Sequence, residues 1–194
     1  MTLLCDLATK YRTDKGGSPG YPHHEYTPIY YELLKDRRET TKNVLEVGIG
    51  FPGCGGICPL DYKSGASLFM WEEFFPNANI FGFDVLPETL INQGRIQSFI
   101  ADSGNPESLA STVFKTGVKK FDLIIDDSVH ELGHQSICAR ALLPYLTADG
   151  IYVTEDVVCN HEELESNLPK RGFVYDFPAC PAEIIGDLMV ARRG

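Results

Sequence analysis

Two apolar runs of the sequence end in side chains that can bind a cation or move a proton. The runs 121–125 and 150–154 have the length and the β-branched content of buried strands. Each is followed by polar residues: Asp126, Asp127 and His130 after the first run, and Glu155 and Asp156 after the second. Carboxylates and an imidazole are groups that proteins use for metal binding and for general acid–base catalysis.

The strands that carry these residues must bring them to one edge of a sheet. Open α/β sheets bind their ligands at the carboxyl ends of parallel strands. If the two strands are parallel neighbours, four side chains should lie close together: Asp127, His130, Glu155 and Asp156. Carboxylates in one small volume repel each other unless a cation lies between them. The sequence therefore predicts a functional site with a bound cation at this edge.

An earlier strand runs into a glycine turn. The run 43–50 contains Glu46 and ends at Gly48 and Gly50, where the missing side chains let the backbone approach a ligand. With Gly53 these glycines match the dinucleotide-binding fingerprint, but that motif requires a helix that begins at once and holds the pyrophosphate. The segment 51–63 is rich in glycine and proline. We therefore expect no helix before residue 64, which argues against a nicotinamide-dependent oxidoreductase.

Three other segments could contribute to the same site. The strand 79–84 ends in Asp84, an acid in the usual position to bind a ribose diol. The strand 95–101 is followed by Asp102. The segment 11–26 is rich in glycine, proline and histidine. It is either a surface lead-in or a lid, since long irregular loops in compact domains are often functional.

Strands and helices alternate along the chain, which predicts an α/β fold. The predicted strands are 43–50, 79–84, 95–101, 121–125, 150–156, 172–177 and 184–191; the predicted helices are 3–10, 28–38 (capped by Thr27), 64–75, 106–116, 133–146 and 159–168. A turn at 149–150 separates the fifth helix from the next strand. The link 178–181 is too short for a helical crossover, so the last two strands should be antiparallel.

The predicted architecture is a Rossmann-like, doubly wound, mostly parallel seven-stranded sheet with an antiparallel last strand. We expect a single domain over residues 1–194. In it, 1–40 would supply N-terminal helices and a lid-like loop, and 41–194 would form the Rossmann-like core.

Composition limits the classes of partner. The chain has 194 residues and a net charge of −10, which argues against nucleic acid as the main partner, because phosphate binding needs clustered lysine and arginine. No apolar run approaches the roughly 18 residues that span a bilayer, and no secretory signal precedes the first helix. We expect a cytoplasmic protein without a membrane partner, located in the host cytoplasm if the source is viral.

The six cysteines are scattered along the chain. A disulfide framework is not expected in a chain of this size and compartment. Cys54 and Cys58 lie four residues apart in a loop, and a zinc site there would need further ligands such as His23 and His24. We favour free thiols over that zinc site.

Several segments, in order along the chain, resemble one enzyme family. The glycine turn with Glu46 and the acid that ends the second strand are similar to those of class I S-adenosylmethionine-dependent methyltransferases. The segments 10–16, 26–30, 65–71, 75–78, 126–130 and 152–156 resemble the metal-dependent sugar O-methyltransferases among them. Members of that group methylate rhamnosyl or related deoxysugar hydroxyls of macrolides and polyketides.

The resemblance implies a role for each matching residue. Cofactor contacts with S-adenosyl-L-methionine would come from Glu46, Gly48 and Gly50, from Asp84 at the ribose, from Asp102 at the adenine, and from Tyr26, Thr27 and Ser67 near the methionine moiety. Asp126 is a further candidate at the cofactor site, with a structural role as the alternative. The ligands of Mg²⁺ or Mn²⁺ would be Asp127, Glu155 and Asp156, and the catalytic residues would be Asp127 and, as general base, His130.

These roles fit methyl transfer to an alcohol, which is a poor nucleophile at neutral pH. A hard cation stabilises the developing alkoxide, and a histidine, with an ordinary pKa of roughly 6.5, can accept the proton. We therefore expect a metal-assisted O-methyltransferase that acts on a hydroxyl of rhamnose or another deoxysugar, carried by a small molecule or a glycan.

Alternatives stay open from the sequence. The acceptor could be a catechol-like or other small-molecule hydroxyl, or the chain could be a non-catalytic cofactor-binding partner. The concentrated acids speak against the second of these. Ser128 stands where the family has glycine, and Val129 also departs from the family pattern. Larger members of the family carry an N-terminal domain without a counterpart here, so acceptor recognition and homo-oligomer formation are left open.

Overall fold

The computed structural model describes residues 1–16, 24–53, 62–157 and 182–193. These ranges contain the helices α1 (Leu3–Tyr11), α2 (Tyr26–Leu34), α3 (Ala66–Phe74), α4 (Pro106–Thr116) and α5 (Leu132–Leu142). Their strands are β1 (Asn43–Val47), β2 (Asn79–Asp84), β3 (Asn92–Gln93), β4 (Ile96–Ile100), β5 (Phe121–Asp126), β6 (Leu146–Thr154), β7 (Ala182–Ile185) and β8 (Leu188–Arg192). Short 3-10 helices occur at Lys35–Arg37, Pro87–Thr89 and Leu143–Tyr145. None of the described helices combines the length and the apolar character needed to cross a bilayer.

The described strands form one sheet in the order β3-β4-β2-β1-β5-β6-β8-β7. β1 pairs in parallel with β2 and β5, and β4 and β6 extend this parallel block on either side. β3, β8 and β7 are antiparallel to their neighbours. Helices cover both faces. The predicted α/β, doubly wound, mostly parallel fold with an antiparallel end is confirmed.

The predicted strand count is wrong, because the described residues hold eight strands and not seven. The short β3 was not predicted, and the predicted single strand 184–191 is a hairpin. Gly186, with φ 62, reverses the chain between β7 and β8, a left-handed conformation that glycine adopts readily. The predicted strand 172–177 and the predicted helix 159–168 lie outside the described residues.

Local sequence signals set the ends of two helices as predicted. α4 begins with Pro106, and the side chain of Asn105 accepts a hydrogen bond from the Ser108 amide at 3.0 Å. Gly117, with φ 73, ends this helix. α3 begins at Ala66, so no helix follows the glycine turn directly among the described residues.

Two other predictions, the cap of α2 and the turn at 149–150, are wrong in detail. α2 begins at Tyr26, after Glu25 in the left-handed region with φ 55. Thr27 is not its cap, because it lies inside the helix, where its backbone N–H donates to the carbonyl of Lys15 at 3.1 Å. The predicted turn at 149–150 lies within β6, where the register with β5 shifts and forms an irregularity in the strand.

Two hydrophobic cores lie on the two faces of the sheet. The first contains Leu4 and Leu7 of α1, Tyr30 and Leu34 of α2, and Trp71 and Phe74 of α3. The second contains Leu109 and Val113 of α4 and Cys138 and Leu142 of α5. Successive residues of a strand point to opposite faces, and Ile125 of β5 accordingly belongs to the first core and Ile124 to the second. The N-terminal helices therefore share a core with the sheet.

Candidate active site

The carboxyl edge of the parallel block opens on a cavity of about 490 Å³. Of the predicted site residues, those that line it are Gly48, Gly50, Ser67, Asp84, Asp102, Asp127, His130 and Asp156. The others are buried behind its wall: Tyr26, Thr27, Glu46, Asp126 and Glu155. The sheet thus brings most of the predicted residues to one place.

The turn after β1 requires glycine. Gly48 has φ 97 and Gly50 has φ 75. A Cβ atom on Gly48 would lie 2.0 Å from the carbonyl oxygen of Asp127, and the Gly48 N–H donates to the carbonyl of Phe83 at 2.8 Å. The turn therefore packs tightly against the ends of β2 and β5 and forms part of the cavity wall with its bare backbone.

Two acids along this wall are fixed by backbone amides. Oδ2 of Asp84 accepts from the Ile49 N–H at 2.8 Å, and its Oδ1 accepts from the Leu86 N–H at 2.9 Å. Oδ1 of Asp102 accepts from the Gly104 N–H at 2.9 Å. Both carboxylates lie where the sequence predicted acids at the ends of the second and third strands of the parallel block.

Glu46 joins β1 to α3 behind the wall. It is fully buried, and its two oxygens accept from the Ser67 hydroxyl at 2.7 Å and from the Trp71 indole N–H at 2.6 Å. Burial raises the pKa of Glu46, and the nearby Lys15 ammonium opposes that rise. Ser67 reaches the cavity, so Glu46 holds a cavity residue in place and does not face the cavity itself.

Asp127, His130 and Asp156 form a polar group at one end of the cavity. One possible ligand atom from each lies within 4.8 Å of the other two. Nε2 of His130 is 3.3 Å from Oδ1 of Asp127 and 3.3 Å from Oδ2 of Asp156. The parallel pairing of β5 and β6 brings the two acids together. Their oxygens suit a hard divalent cation, so this part of the predicted site fits a metal.

Glu155 points away from this group. Its Oε2 accepts from the Lys15 ammonium at 2.7 Å and its Oε1 from the Tyr30 hydroxyl at 2.5 Å. Burial raises the pKa of Glu155 well above its ordinary value, and the attraction of Lys15 opposes that rise. The predicted ligand set joined Glu155 to Asp127 and Asp156, whereas the described residues group those two with a histidine. Metal binding by Glu155 stays a prediction.

A buried lysine that was not predicted to belong to the site lies among the acids. Lys15 is 1% exposed. Its ammonium is 2.5 Å from Oδ2 of Asp127, 2.7 Å from Oε2 of Glu155 and 3.3 Å from Oε1 of Glu46. Burial by itself would lower the pKa of Lys15, but the attraction of the three carboxylates raises it well above its usual range. The lysine therefore carries its charge inside the protein.

Neighbouring charges set the ionisation of Asp127 and His130. Burial would raise the pKa of Asp127, but Lys15 and the hydrogen bond to His130 lower it below its ordinary value. The hydrogen bond to Asp127 raises the pKa of His130, and burial opposes that effect. Asp127 is therefore ionised at neutral pH, and His130 holds a proton up to a higher pH than a free histidine does.

Tyr26 and His24 contact the carboxylate of Asp156. The Tyr26 hydroxyl donates to Oδ1 of Asp156 at 2.7 Å. Nδ1 of His24 lies 3.4 Å from the same oxygen, and its ring stacks on Tyr26. Thr27 lies beside them and is buried. Cys54, Cys58 and His23, which were candidate ligands of the alternative zinc site, lie outside the described residues.

Asp126 has a different environment from Asp127. Its Oδ1 accepts from the Ser128 hydroxyl at 2.7 Å, and its Oδ2 accepts from the Tyr152 hydroxyl at 3.3 Å. Burial raises the pKa of Asp126 to about 6. Ser128, which replaces the glycine of the family pattern, thus binds the acid two residues before it. These contacts stabilise the turn that carries Asp127 and His130.

No family model matches the chain. It is 32% identical over 158 residues to mycinamicin VI 2''-O-methyltransferase of Micromonospora griseorubida, which covers 79% of this chain and 36% of the relative. It is 34% identical over 151 residues to 8-demethyl-8-(2-methoxy-alpha-L-rhamnosyl)-tetracenomycin-C 3'-O-methyltransferase of Streptomyces olivaceus, with 78% and 36% covered.

A solved structure is also similar. MycE methyltransferase from the mycinamycin biosynthetic pathway, in complex with Mg, SAH and mycinamycin VI, matches with a TM-score of 0.79 and 25% identity, over 100% of this chain and 55% of that chain. Of the two curated relatives above, the chain spans about a third of the length, 36% in each case. The resemblance predicted from the sequence is confirmed, and the chain is a relative of these sugar O-methyltransferases with the class I S-adenosylmethionine-dependent methyltransferase fold.

Proposed function

We propose that the chain is an S-adenosylmethionine-dependent, divalent-metal-assisted O-methyltransferase that acts on a hydroxyl of rhamnose or another deoxysugar. The observation that carries this proposal is the meeting of Asp127, His130 and Asp156 in a cavity that is also lined by the glycine turn and Asp84. The relatives support a sugar acceptor, since one of them is named for a rhamnosyl tetracenomycin.

The described residues of one side of the cavity fit the cofactor. The bare backbone at Gly48 and Gly50 lets a ligand approach closely. Asp84 has the position that ribose-binding acids occupy at the end of the second strand of such sheets, and Asp102 would face the adenine. Ser67 would lie near the methionine moiety. Four buried residues would act through the side chains and turns that they hold in place: Tyr26, Thr27, Glu46 and Asp126.

The acids on the other side fit Mg²⁺ or Mn²⁺. Oxygens of Asp127 and Asp156 come together beside His130, and such cations prefer carboxylate oxygens and water as ligands. Glu155, directly before Asp156 in the chain, would complete the ligand set implied by the resemblance. A sugar diol could occupy the remaining positions.

The positions of these residues suggest how methyl transfer to a hydroxyl would proceed. When bound, S-adenosylmethionine supplies an electrophilic methyl group, and the divalent cation stabilises negative charge on the acceptor oxygen. The His130 imidazole accepts the proton of the acceptor hydroxyl. The carboxylates of Asp127 and Asp156, each 3.3 Å from Nε2, orient the ring and stabilise the imidazolium that forms. Proton transfer of this kind contributes roughly 10²–10⁴-fold to a rate.

We also propose that residues 1–194 act as one methyltransferase domain, with 1–40 as helices and a lid-like loop over the core 41–194. The hydrophobic core that α1 and α2 share with the sheet supports a single domain, as do the contacts of Lys15 and Tyr26 with the acids. The acceptor would be a small molecule or a glycan, without a nucleic-acid partner, and assembly into a homo-oligomer is compatible with the proposal.

Calorimetric titration with S-adenosylhomocysteine, with and without Mg²⁺, tests the proposed cofactor. We expect binding in the micromolar range, about −8 kcal/mol. No binding, together with heat released by a nicotinamide dinucleotide, would instead favour an oxidoreductase. Mass spectrometry of rhamnosides and of catechol incubated with S-adenosylmethionine then tests the acceptor. Methylation of catechol alone would contradict the sugar acceptor but not the reaction.

A further inference from the structure

Lys15 joins three neighbouring strands at the edge that carries the site. Glu46 lies in β1, Asp127 follows β5 and Glu155 follows β6, and these strands are adjacent in the sheet. All three carboxylates lie within 3.3 Å of the one ammonium. Glu46 supports the cofactor side of the cavity through Ser67, whereas Asp127 lies on the acidic side. Lys15 is therefore in contact with both halves of the site.

Backbone contacts of the neighbouring residues fix the position of Lys15. The Thr13 N–H donates to the Ala8 carbonyl at 3.1 Å, and the Lys15 carbonyl accepts from the Thr27 N–H at 3.1 Å. A Cβ atom on Gly16 would lie 2.5 Å from Cβ of Ala8, so this turn packs closely on α1. Hydrogen bonds and close packing thus hold this turn against α1 and α2, and they fix the position from which the Lys15 side chain extends into the interior.

The charges explain why a cation is needed there. If all three carboxyl groups are ionised, they and the one ammonium leave an excess of two negative charges among Glu46, Asp127, Glu155 and Lys15. Without the ammonium the same buried volume would hold three carboxylates that repel each other. Removing one partner of a buried ion pair is strongly destabilising, because the remaining charge is uncompensated.

We propose that Lys15 is a positioning residue that serves as the built-in cation of this site. Its ammonium holds Glu46, Asp127 and Glu155 together, so that the cofactor side and the acidic side are both formed before a metal ion binds. The proposal rests on the proposed function for the identity of the site. It implies that the metal is required for the chemical step and not for assembling the cavity.

Lys15→Met tests the proposal, since methionine has a similar length and no charge. In EDTA we expect the melting temperature of the variant to fall by about 10 °C and its affinity for S-adenosylhomocysteine to weaken about tenfold or more. Mg²⁺ should restore most of both losses, because a divalent cation at Asp127 offsets the repulsion. In the wild type, the affinity for S-adenosylhomocysteine should be nearly the same in EDTA and in Mg²⁺, and the melting temperature should rise in Mg²⁺ only by the smaller amount that metal binding to the folded state contributes.

Lys10→Met is the matched control. Lys10 lies five residues earlier and forms an ion pair with Glu73, but its side chain is 54% exposed. This variant should keep the wild-type melting temperature in EDTA and respond to Mg²⁺ as the wild type does, because exposed ion pairs contribute little to stability. A purely structural role for Lys15 would give a loss that Mg²⁺ does not relieve, and that result would overturn the proposal. A wild type that needs Mg²⁺ to bind S-adenosylhomocysteine would also overturn it.

A second variant is used if Lys15→Met does not fold in either condition, because no melting temperature or affinity can then be measured. Lys15→Met with Glu155→Gln removes one charge of each sign and keeps the wild-type net charge of the cluster. We expect this double variant to fold in EDTA, and a failure to fold would contradict the role of Lys15 as a charge-balancing cation. If the wild type binds no S-adenosylhomocysteine at all, the proposed function fails, whereas the thermal response of Lys15→Met to Mg²⁺ still tests the lysine.

Discussion

His130 lies between two carboxylates at the mouth of the cavity. Its side chain is 48% exposed, and Nε2 is equally far, 3.3 Å, from an oxygen of Asp127 and an oxygen of Asp156. The ring contributes little to the hydrophobic core. Its loss should therefore affect proton transfer much more than folding or cofactor binding.

We expect His130→Ala to bind S-adenosylhomocysteine as the wild type does and to lose turnover by about 10²–10⁴-fold, because the proposed general base is removed. Calorimetry and a single-turnover methylation assay on the same preparation would measure the two quantities. Unchanged turnover would remove His130 as the general base. A parallel loss of affinity would show that the histidine also shapes the cofactor site.

Residue types and spacing located the acids but not the groups that hold them. Asp127 and Asp156 follow apolar runs that predict strands, so their meeting at the sheet edge could be expected from the sequence. Lys15 and Tyr30 carry no comparable pattern. They reach Asp127 and Glu155 over 112 and 125 residues of sequence, and only tertiary packing reveals such contacts.

The turn after β1 is the element with the least freedom at this edge. It fits between the ends of β2 and β5 only because Gly48 has no side chain, and its conformation belongs to the left-handed region. A substitution there must move either the turn or the strand end that carries Asp127. Both changes would alter the cavity.

Gly48→Ala should therefore be much more destabilising than Gly117→Ala. Both glycines have positive φ, at 97 and 73. Beyond its own chain neighbours, Gly117 has no atom of the described residues within 4 Å of the added methyl group, whereas Gly48 has a carbonyl oxygen at 2.0 Å. We expect a cost of about 1 kcal/mol at Gly117 from conformation alone and a loss of several kcal/mol at Gly48. Urea unfolding would measure both, and equal costs would contradict the tight packing of the turn.

Elements with strong local signals were predicted well. The parallel strands are continuous apolar runs, and α4 has a capping asparagine, a proline and a terminal glycine. The hairpin β7–β8 was missed, although the pair Gly186-Asp187 between its two short strands is a recognised two-residue turn signal. The start of α2 was missed because a tertiary contact with Lys15 takes the place of a cap.

The helices α1 and α2 share a hydrophobic core with the sheet, although the sequence of the loop 11–26 between them could also predict a surface lead-in. Leu4 and Leu7 of α1 lie in one hydrophobic core with strand residues such as Ile80 and Ile125. The acids at the sheet edge receive hydrogen bonds from this same segment. Separate unfolding of the N-terminal helices is therefore not expected.

Two adjacent leucines of α1 test whether the N-terminal helices unfold together with the sheet. Leu4 is fully buried and Leu3 is 40% exposed. We expect Leu4→Ala to lower the free energy of unfolding by about 3 kcal/mol and Leu3→Ala by less than about 1 kcal/mol. Urea unfolding followed by circular dichroism and by the fluorescence of Trp71 on α3 would give coincident transitions. Two separate transitions in Leu4→Ala would show that the N-terminal helices unfold before the sheet.

The contacts of Lys15 also have a consequence for how the protein folds. Its partner Glu155 is 140 residues away in the chain, so the ribosome releases the lysine long before the last of its acids. Native contacts between such distant residues close slowly, because a long loop must be ordered first. We expect the cavity edge to be among the last parts of the protein to acquire its native arrangement during synthesis. Until then, a charged lysine and unpaired acids remain exposed to water.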